Sequence, residues 1–143
     1  MPSLNELLNT PERRPQVLAA CAELVEDELN RAKGMSGIAL RTAFGVIQAL
    51  DQEFVCKALD RLFDDFIGRL EPFWSQTTPS NVEQDWSRNA PDVADALLGA
   101  ADAKVARAKN QTVQKVYKKL RPKAAPYVEN AVPGLAQVLT SFA

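Results

Sequence analysis

The chain has 143 residues, of which 46% are hydrophobic and 24% are charged, and its formal net charge is −1. These values are typical of globular proteins and exclude a disordered chain, whose signature is low hydrophobicity with high net charge. Histidine is absent, which excludes Ser-His-Asp and Cys-His catalysis within one chain because both mechanisms need an imidazole base.

The sequence offers no signal for secretion or membrane insertion. Two cysteines, Cys21 and Cys56, are too few for the disulfide framework of a small secreted domain. Charged side chains interrupt residues 1–16, and no stretch reaches the ~18 apolar residues of a membrane span. We therefore expect a cytoplasmic protein with reduced thiols and no membrane contact.

Helical periodicity begins close to the N-terminus. Ser3 suits the N-cap of a short helix over 4–8, and Thr10 suits the N-cap of a second helix. Pro15 would cost a hydrogen bond in a helix that began much earlier, so the main helix is predicted over about 15–32.

Two further helices are predicted over about 37–50 and 52–70. The first has an apolar stripe that includes Val46 and Leu50. The second is the strongest core-facing helix, with its apolar residues in an arc of roughly 140°. That arc contains Val55, Cys56, Leu59, Leu62, Phe63, Phe66, Ile67 and Leu70. Pro72 is predicted to end this helix or bend it.

The second half of the chain is punctuated by proline. Ser80 and Glu83 match a capping box before a short helix, and an alanine-rich helix follows from about residue 91 to 109. Asn110 interrupts the pattern, and another helix is predicted before Pro122. Two last short helices are separated by the remaining prolines, Pro126 and Pro133.

No alternating strand pattern and no hairpin signal occurs in the sequence. We therefore predict an all-α protein, a single compact irregular helical bundle of about six to nine helices. Residues 1–143 are expected to form one domain.

The carboxylates offer no metal site. A carboxylate-bridged site in a bundle pairs acids with histidines that face inward, and the two acidic clusters instead point away from the apolar stripes. They contain Glu23, Glu26, Asp27, Asp60, Asp64 and Asp65. No Walker motif or GxGxxG motif is present either, so no catalytic, metal or cofactor residue is predicted.

Glu28 lies inside the apolar stripe of the helix over 15–32. A buried carboxylate needs a basic partner, and Arg31, Lys33 and Arg41 are the nearest candidates in the sequence. The alternative is that this end of the helix emerges into solvent, which we favour because unpaired buried acids are rare.

Three aromatic residues, Phe73, Trp74 and Trp86, lie in the least regular part of the chain. They form a candidate groove for a small apolar ligand or for a partner protein. The competing interpretation, which we favour, is that they seal a loop onto the core.

The charge distribution is divided. Residues 1–103 contain 17 acidic and 9 basic residues, a net charge of −8, whereas residues 104–123 contain eight basic residues and no acidic one. This candidate interaction surface consists of Lys104, Arg107, Lys109, Lys115, Lys118, Lys119, Arg121 and Lys123. It could attract phosphates, but no nucleic-acid-binding motif accompanies it. Attraction to the acidic part of the same chain or of a second copy explains it equally well.

Several segments resemble those of a known family: SLNELLNTPERRPQVL, GMSGIALRTAF, EPFW, DALLGAADAKVARAKN and VYKKLRPKAAPYVENAVPGL. Together they spread across nearly the whole chain, which resembles a small bacterial family, of actinobacterial type, whose function is unknown. The resemblance implies an all-helical fold. It supplies no activity, cofactor or catalytic residue that could be transferred to this sequence.

From these observations we expect a non-enzymatic protein that acts through protein–protein contact, with a homodimer as the first possibility to test. The first alternative is binding of nucleic acid or another acidic partner through residues 104–123. The second alternative is carriage of a small apolar ligand.

Overall fold

A computed structural model describes residues 2–142. Within that range the chain forms seven α-helices and no β-strand, packed into a compact bundle, which confirms the predicted fold class. The helices are α1 Leu4–Leu8, α2 Arg13–Arg31, α3 Gly34–Leu50, α4 Phe54–Ser75, α5 Val82–Arg88, α6 Ala90–Ala106 and α7 Gln111–Ser141.

The predicted N-cap of the first helix is confirmed, whereas Glu12 and not Thr10 occupies the N-cap of α2. The Ser3 hydroxyl accepts a hydrogen bond from the backbone amide of Glu6, with a donor–acceptor distance of 3.1 Å. The Thr10 hydroxyl accepts one from the amide of Arg13, also at 3.1 Å. Because α2 begins at Arg13, Pro15 falls in the first turn, where backbone amides have no partner within the helix. The prediction that Pro15 itself begins the helix is therefore wrong by two residues.

Of the two alternatives for Pro72, the one in which it ends α4 is wrong, and so is the placement of Cys56 on the apolar stripe. The helix continues through Pro72 to Ser75, and it can do so because Pro72 and Gly68, whose carbonyl loses its partner, both lie on the exposed side. Cys56, which was placed on the apolar stripe, is exposed. It lies at the edge of the arc near the start of the helix.

The capping box at Ser80 is also wrong, although the short helix that it predicted is present as α5. Asn81 occupies the N-cap and makes no side-chain capping bond. Asn110 does interrupt the helical pattern, as predicted. Its side chain caps α7 by accepting the amides of Thr112 and Val113 at 2.9 and 3.3 Å.

The largest difference concerns α7, where three predicted helices form one helix of 31 residues with Pro122, Pro126 and Pro133 inside it. Spacings of four and seven residues place all three rings within an arc of about 40° at 100° per residue. Pro122 and Pro126 are exposed and Pro133 is half-buried. The carbonyls that lose their partners therefore share the outer side, where water can satisfy them while the helix bends around the core.

The main core is built by every helix except α3. Its largest fully buried members include Trp74, Trp86, Leu4 and Leu8. In α3 only Gly37 and Leu40 are buried, so this helix lies at the edge of the bundle. No helix within residues 2–142 is long and apolar enough to cross a membrane.

Candidate functional site

The candidate interaction surface of residues 104–123, called the basic surface below, lies where α6 ends and α7 begins. Seven of its eight side chains are exposed. None of these seven forms an ion pair with another group in residues 2–142, whereas Arg121 does. Attraction to the acidic part of the same chain therefore accounts for Arg121 alone.

Arg121 belongs to a cluster that joins α6 to α7. Its Nε donates to Asp102 Oδ1 at 2.9 Å and its Nη2 to Asp102 Oδ2 at 3.2 Å, and the Tyr117 hydroxyl donates to the same carboxylate. The hydrogen bonds from Arg121 hold the pKa of Asp102 below its ordinary range. Burial and then the Asp102 contact raise the pKa of Tyr117. The cluster is a structural clamp, since its donors and acceptors already satisfy one another.

The aromatic groove is not an open feature of the structure. Trp74 and Trp86 are each 1% exposed and pack edge to face, with ring centroids 6.5 Å apart. Phe73 is half-buried against the same core cluster. These side chains seal the segment between α4 and α6, as the competing interpretation held, because burying two indoles removes a large apolar area from water.

An apolar cavity, partly open to solvent, occurs elsewhere, between the helices of the bundle. It has a volume of about 260 Å³ and is lined by residues of α1, α2, α4, α6 and α7. Its wall is aliphatic and aromatic, and neither tryptophan contributes to it. Sequence patterns cannot reveal such a space, because each wall residue reads as an ordinary core position.

Three polar side chains, those of Cys21, Tyr127 and Glu28, lie at or near this space. Cys21 lines it, and burial raises the pKa of the Cys21 thiol to about 11, so the thiol stays protonated at neutral pH. Tyr127 also lines it and donates its hydroxyl to the Val25 carbonyl at 2.6 Å. Burial, and then the charge of Glu28, raise the pKa of Tyr127.

Glu28 is more enclosed than the favoured interpretation held. Its side chain is only 14% exposed and pairs with Arg31 at 3.2 Å. Glu28 is thus partly enclosed while Asp27, Asn30 and Arg31 beside it are exposed, and Arg31 is its partner among the three candidates. Arg41 instead donates to the carbonyls of Leu29 and Ala32 at the end of α2.

The outer face of α3 is the clearest feature that the sequence analysis missed. Met35 is 87% exposed, Ile38 59%, Val46 59% and Leu50 85%. This α3 face is completed by Thr42, Gly45 and Ala49, which are also exposed and uncharged. The prediction that Val46 and Leu50 face the core is wrong. The sequence did contain a signal of this exposed face. Residues 34–50 contain a single charged residue, so the helix has no polar face to turn toward solvent.

The acidic residues behave as a solvated face with local partners. Arg14 bridges Asp60 at 2.9 Å and Asp64 at 3.1 Å, and its guanidinium stacks over Phe63 at 4.6 Å from the ring centroid. Across residues 2–142 no three or more His, Cys, Asp or Glu side chains come together in a way that could hold a metal ion.

Fold and surface define a small all-helical bundle protein with a basic surface, an uncharged α3 face and a central apolar cavity. The model of DUF6918, a family of unknown function, matches residues 4–143. The chain belongs to that family, which confirms the resemblance to a family without assigned activity. No curated protein and no solved structure matches the chain.

Proposed function

We propose that this protein is not an enzyme, that it acts through protein–protein contact, and that its first partner is a second copy bound through the α3 face. The observation that carries the proposal is the exposure of Met35, Ile38, Val46 and Leu50 on one uncharged side of a helix. Contiguous exposed apolar patches mark interaction sites, because leaving them in water costs free energy. The absence of histidine from the chain supports the non-enzymatic part of the proposal.

Charge favours a second copy as the occupant. Lys33 precedes α3 and Glu53 follows it, and both side chains are exposed. Lys57 pairs with Asp51 and Glu53, which leaves that end with one net negative charge. In an antiparallel pair of α3 helices, the basic end of each copy lies against the acidic end of the other. A twofold axis repeats that match, as expected for an isologous interface.

The shape of the face also suits another helix. Gly45 lies at one edge of this face, beside Ile38 and Ala49, and a Cβ atom placed there would meet nothing within 4 Å. A small residue beside a larger one lets a second backbone approach closely on that side. A lipid surface fits less well, because interfacial helices carry many basic residues beside their apolar face, and the one basic residue of α3, Arg41, is bonded to the end of α2.

Analytical ultracentrifugation between 1 and 100 μM tests the proposal. We expect a concentration-dependent dimer, and Val46→Glu should shift it to monomer because the charge would be buried at the interface. Val113→Glu is the matched control, since Val113 is an exposed valine outside α3, and it should leave association unchanged. A wild-type monomer at 100 μM would contradict the proposal.

Charge exchange tests the antiparallel arrangement. Lys33→Glu and Glu53→Lys should each weaken the dimer through like charges, and the double variant should recover most of the affinity. If the double variant is as weak as the two single changes combined, the two ends do not meet. The helices would then pair in another orientation.

A second candidate function is binding of nucleic acid or another acidic partner at the basic surface. Its specific support is the seven exposed side chains without an ion pair in residues 2–142. Titration of a labelled oligonucleotide at 50, 100 and 200 mM salt tests it, since phosphate contacts predict a steep loss of affinity with salt. Absence of binding at 50 mM salt would exclude nucleic acid.

A further inference from the structure

The cavity between α1, α2, α4, α6 and α7 is large for a small helical domain, at about 260 Å³. Protein cores are packed about as densely as organic crystals, and they contain few voids larger than a water molecule. We infer that this space is a binding site for one uncharged, hydrocarbon-like molecule of about ten carbon atoms. The inference does not depend on the proposed dimer, because α3 contributes no residue to the cavity wall.

The size of the ligand follows from the volume. An apolar cavity of about 150 Å³ binds benzene, a molecule of six carbon atoms. In the same proportion, 260 Å³ accommodates about ten carbon atoms, which corresponds to a fused bicyclic hydrocarbon or a small terpenoid.

The wall selects an apolar molecule over water. A buried water needs two to four polar partners, and the wall provides few. The Tyr127 hydroxyl donates its proton to the Val25 carbonyl, and the Cys21 thiol is a weak donor. An apolar ligand requires no hydrogen bond and restores the dispersion contacts that an empty cavity lacks.

The charges around the cavity disfavour a carboxylate ligand such as a fatty acid. No charged side chain lines the wall, so an anionic group inside would remain unpaired in an apolar environment. Glu28, whose charge contributes to the raised pKa of Tyr127 at that end, is already paired with Arg31, so no basic group of residues 2–142 could hold an anion there. The ligand class is therefore uncharged.

Naphthalene, with ten carbon atoms and no charge, is the probe for a direct test with the full chain. Titration followed by methyl NMR should give saturable shifts at Val17 and Val132, which lie in the wall and are each 1% exposed. Naphthalene-2-carboxylate should bind at least ten times more weakly, because its charge would have no partner.

A matched pair of variants locates the site. Ala101 lines the cavity, whereas Ala103 is an exposed residue of the same helix. Ala101→Leu should fill the space and reduce naphthalene affinity at least tenfold, and Ala103→Leu should leave it unchanged. If circular dichroism shows that Ala101→Leu does not fold, Ala131→Val replaces it, because Ala131 also lines the cavity and valine adds less volume.

Three results would overturn the inference. The first is the absence of saturable naphthalene binding by the wild-type protein. The second is binding that the folded cavity-filling variants do not reduce, because the probe would then sit elsewhere. The third is equal affinity for naphthalene-2-carboxylate, which would refute the uncharged class of ligand.

Discussion

Trp74 and Trp86 touch each other in the core, yet their indole N–H groups differ. Trp74 Nε1 donates to the Pro2 carbonyl at 3.0 Å. The buried Nε1 of Trp86 has no hydrogen-bond partner within residues 2–142. A buried bond stabilises by about 1 kcal/mol, whereas an unsatisfied buried donor costs about 1–3 kcal/mol.

Replacement of each indole by a phenyl ring should therefore have unequal effects. Both changes remove similar apolar volume, but Trp74→Phe also loses a hydrogen bond and Trp86→Phe removes an unpaired donor. We expect Trp74→Phe to reduce the free energy of unfolding by about 2–4 kcal/mol more than Trp86→Phe does, because the lost bond and the relieved penalty add. Urea denaturation followed by far-ultraviolet circular dichroism measures the difference. An equal or larger cost for Trp86→Phe would contradict this account.

At this scale some properties followed from the residue type alone, whereas others depended on which residues lie nearby in the folded chain. The absence of histidine excluded two catalytic classes, and Ser3 predicted its own cap correctly. Glu28 could not be placed from its helical position, because its enclosure depends on the Arg31 pairing and on helices distant in the sequence. Cys21 and Cys56 read alike on their stripes, yet one lines the cavity and the other is exposed.

At the scale of the element, the join between α2 and α3 depends on Gly37. A Cβ atom there would lie 2.6 Å from the Ala32 carbonyl oxygen and 2.7 Å from its carbon. These are backbone atoms, so they cannot move aside as a flexible side chain would. The close approach holds the edge helix against the end of α2.

Gly37→Ala should therefore destabilise the protein by about 1–3 kcal/mol, the usual cost of overpacking. Gly68→Ala is the matched control, because Gly68 is helical and a Cβ atom there meets nothing within 4 Å. It should stabilise by about 0.5–1 kcal/mol through helix propensity. Thermal denaturation should show a lower melting temperature for Gly37→Ala and a higher one for Gly68→Ala. An unchanged melting temperature for Gly37→Ala would show that the contact between α2 and α3 is loose.

Element boundaries were predictable where a local cap sets them and unpredictable where tertiary packing does. Asn110 marks the start of α7 through its own side chain. The prolines of α7 suggested three helices because proline is costly inside a helix. Their shared outer face and the packing of the opposite face against the core let one helix run through them.

At the scale of the whole molecule, the proposed dimer has a consequence for stability. A partner that binds only the folded state stabilises it by mass action. For a dissociation constant near 10 μM, about 20 μM of 100 μM protein stays monomeric, so the linkage contributes about 1 kcal/mol. A domain of roughly this size gains about 2–4 °C per kcal/mol, so the melting temperature should rise by about 2–4 °C.

Differential scanning calorimetry at 1 and 100 μM measures that rise. The Val46→Glu variant should melt at nearly the same temperature at both concentrations, since its association is blocked. A wild-type melting temperature that does not change with concentration would speak against the homodimer. It would leave the ligand cavity unaffected, because the cavity lies outside α3.

By itself, the sequence determined the helical class, the positions of most helices and the division of charge between residues 1–103 and 104–123. These properties follow from local periodicity and composition, which do not depend on contacts between residues distant in the sequence. The tertiary structure alone decided that α3 turns an apolar face outward and that residues of five helices line a partly open cavity. Such properties depend on which faces meet across long sequence separations, and a single helical stripe cannot specify its partner.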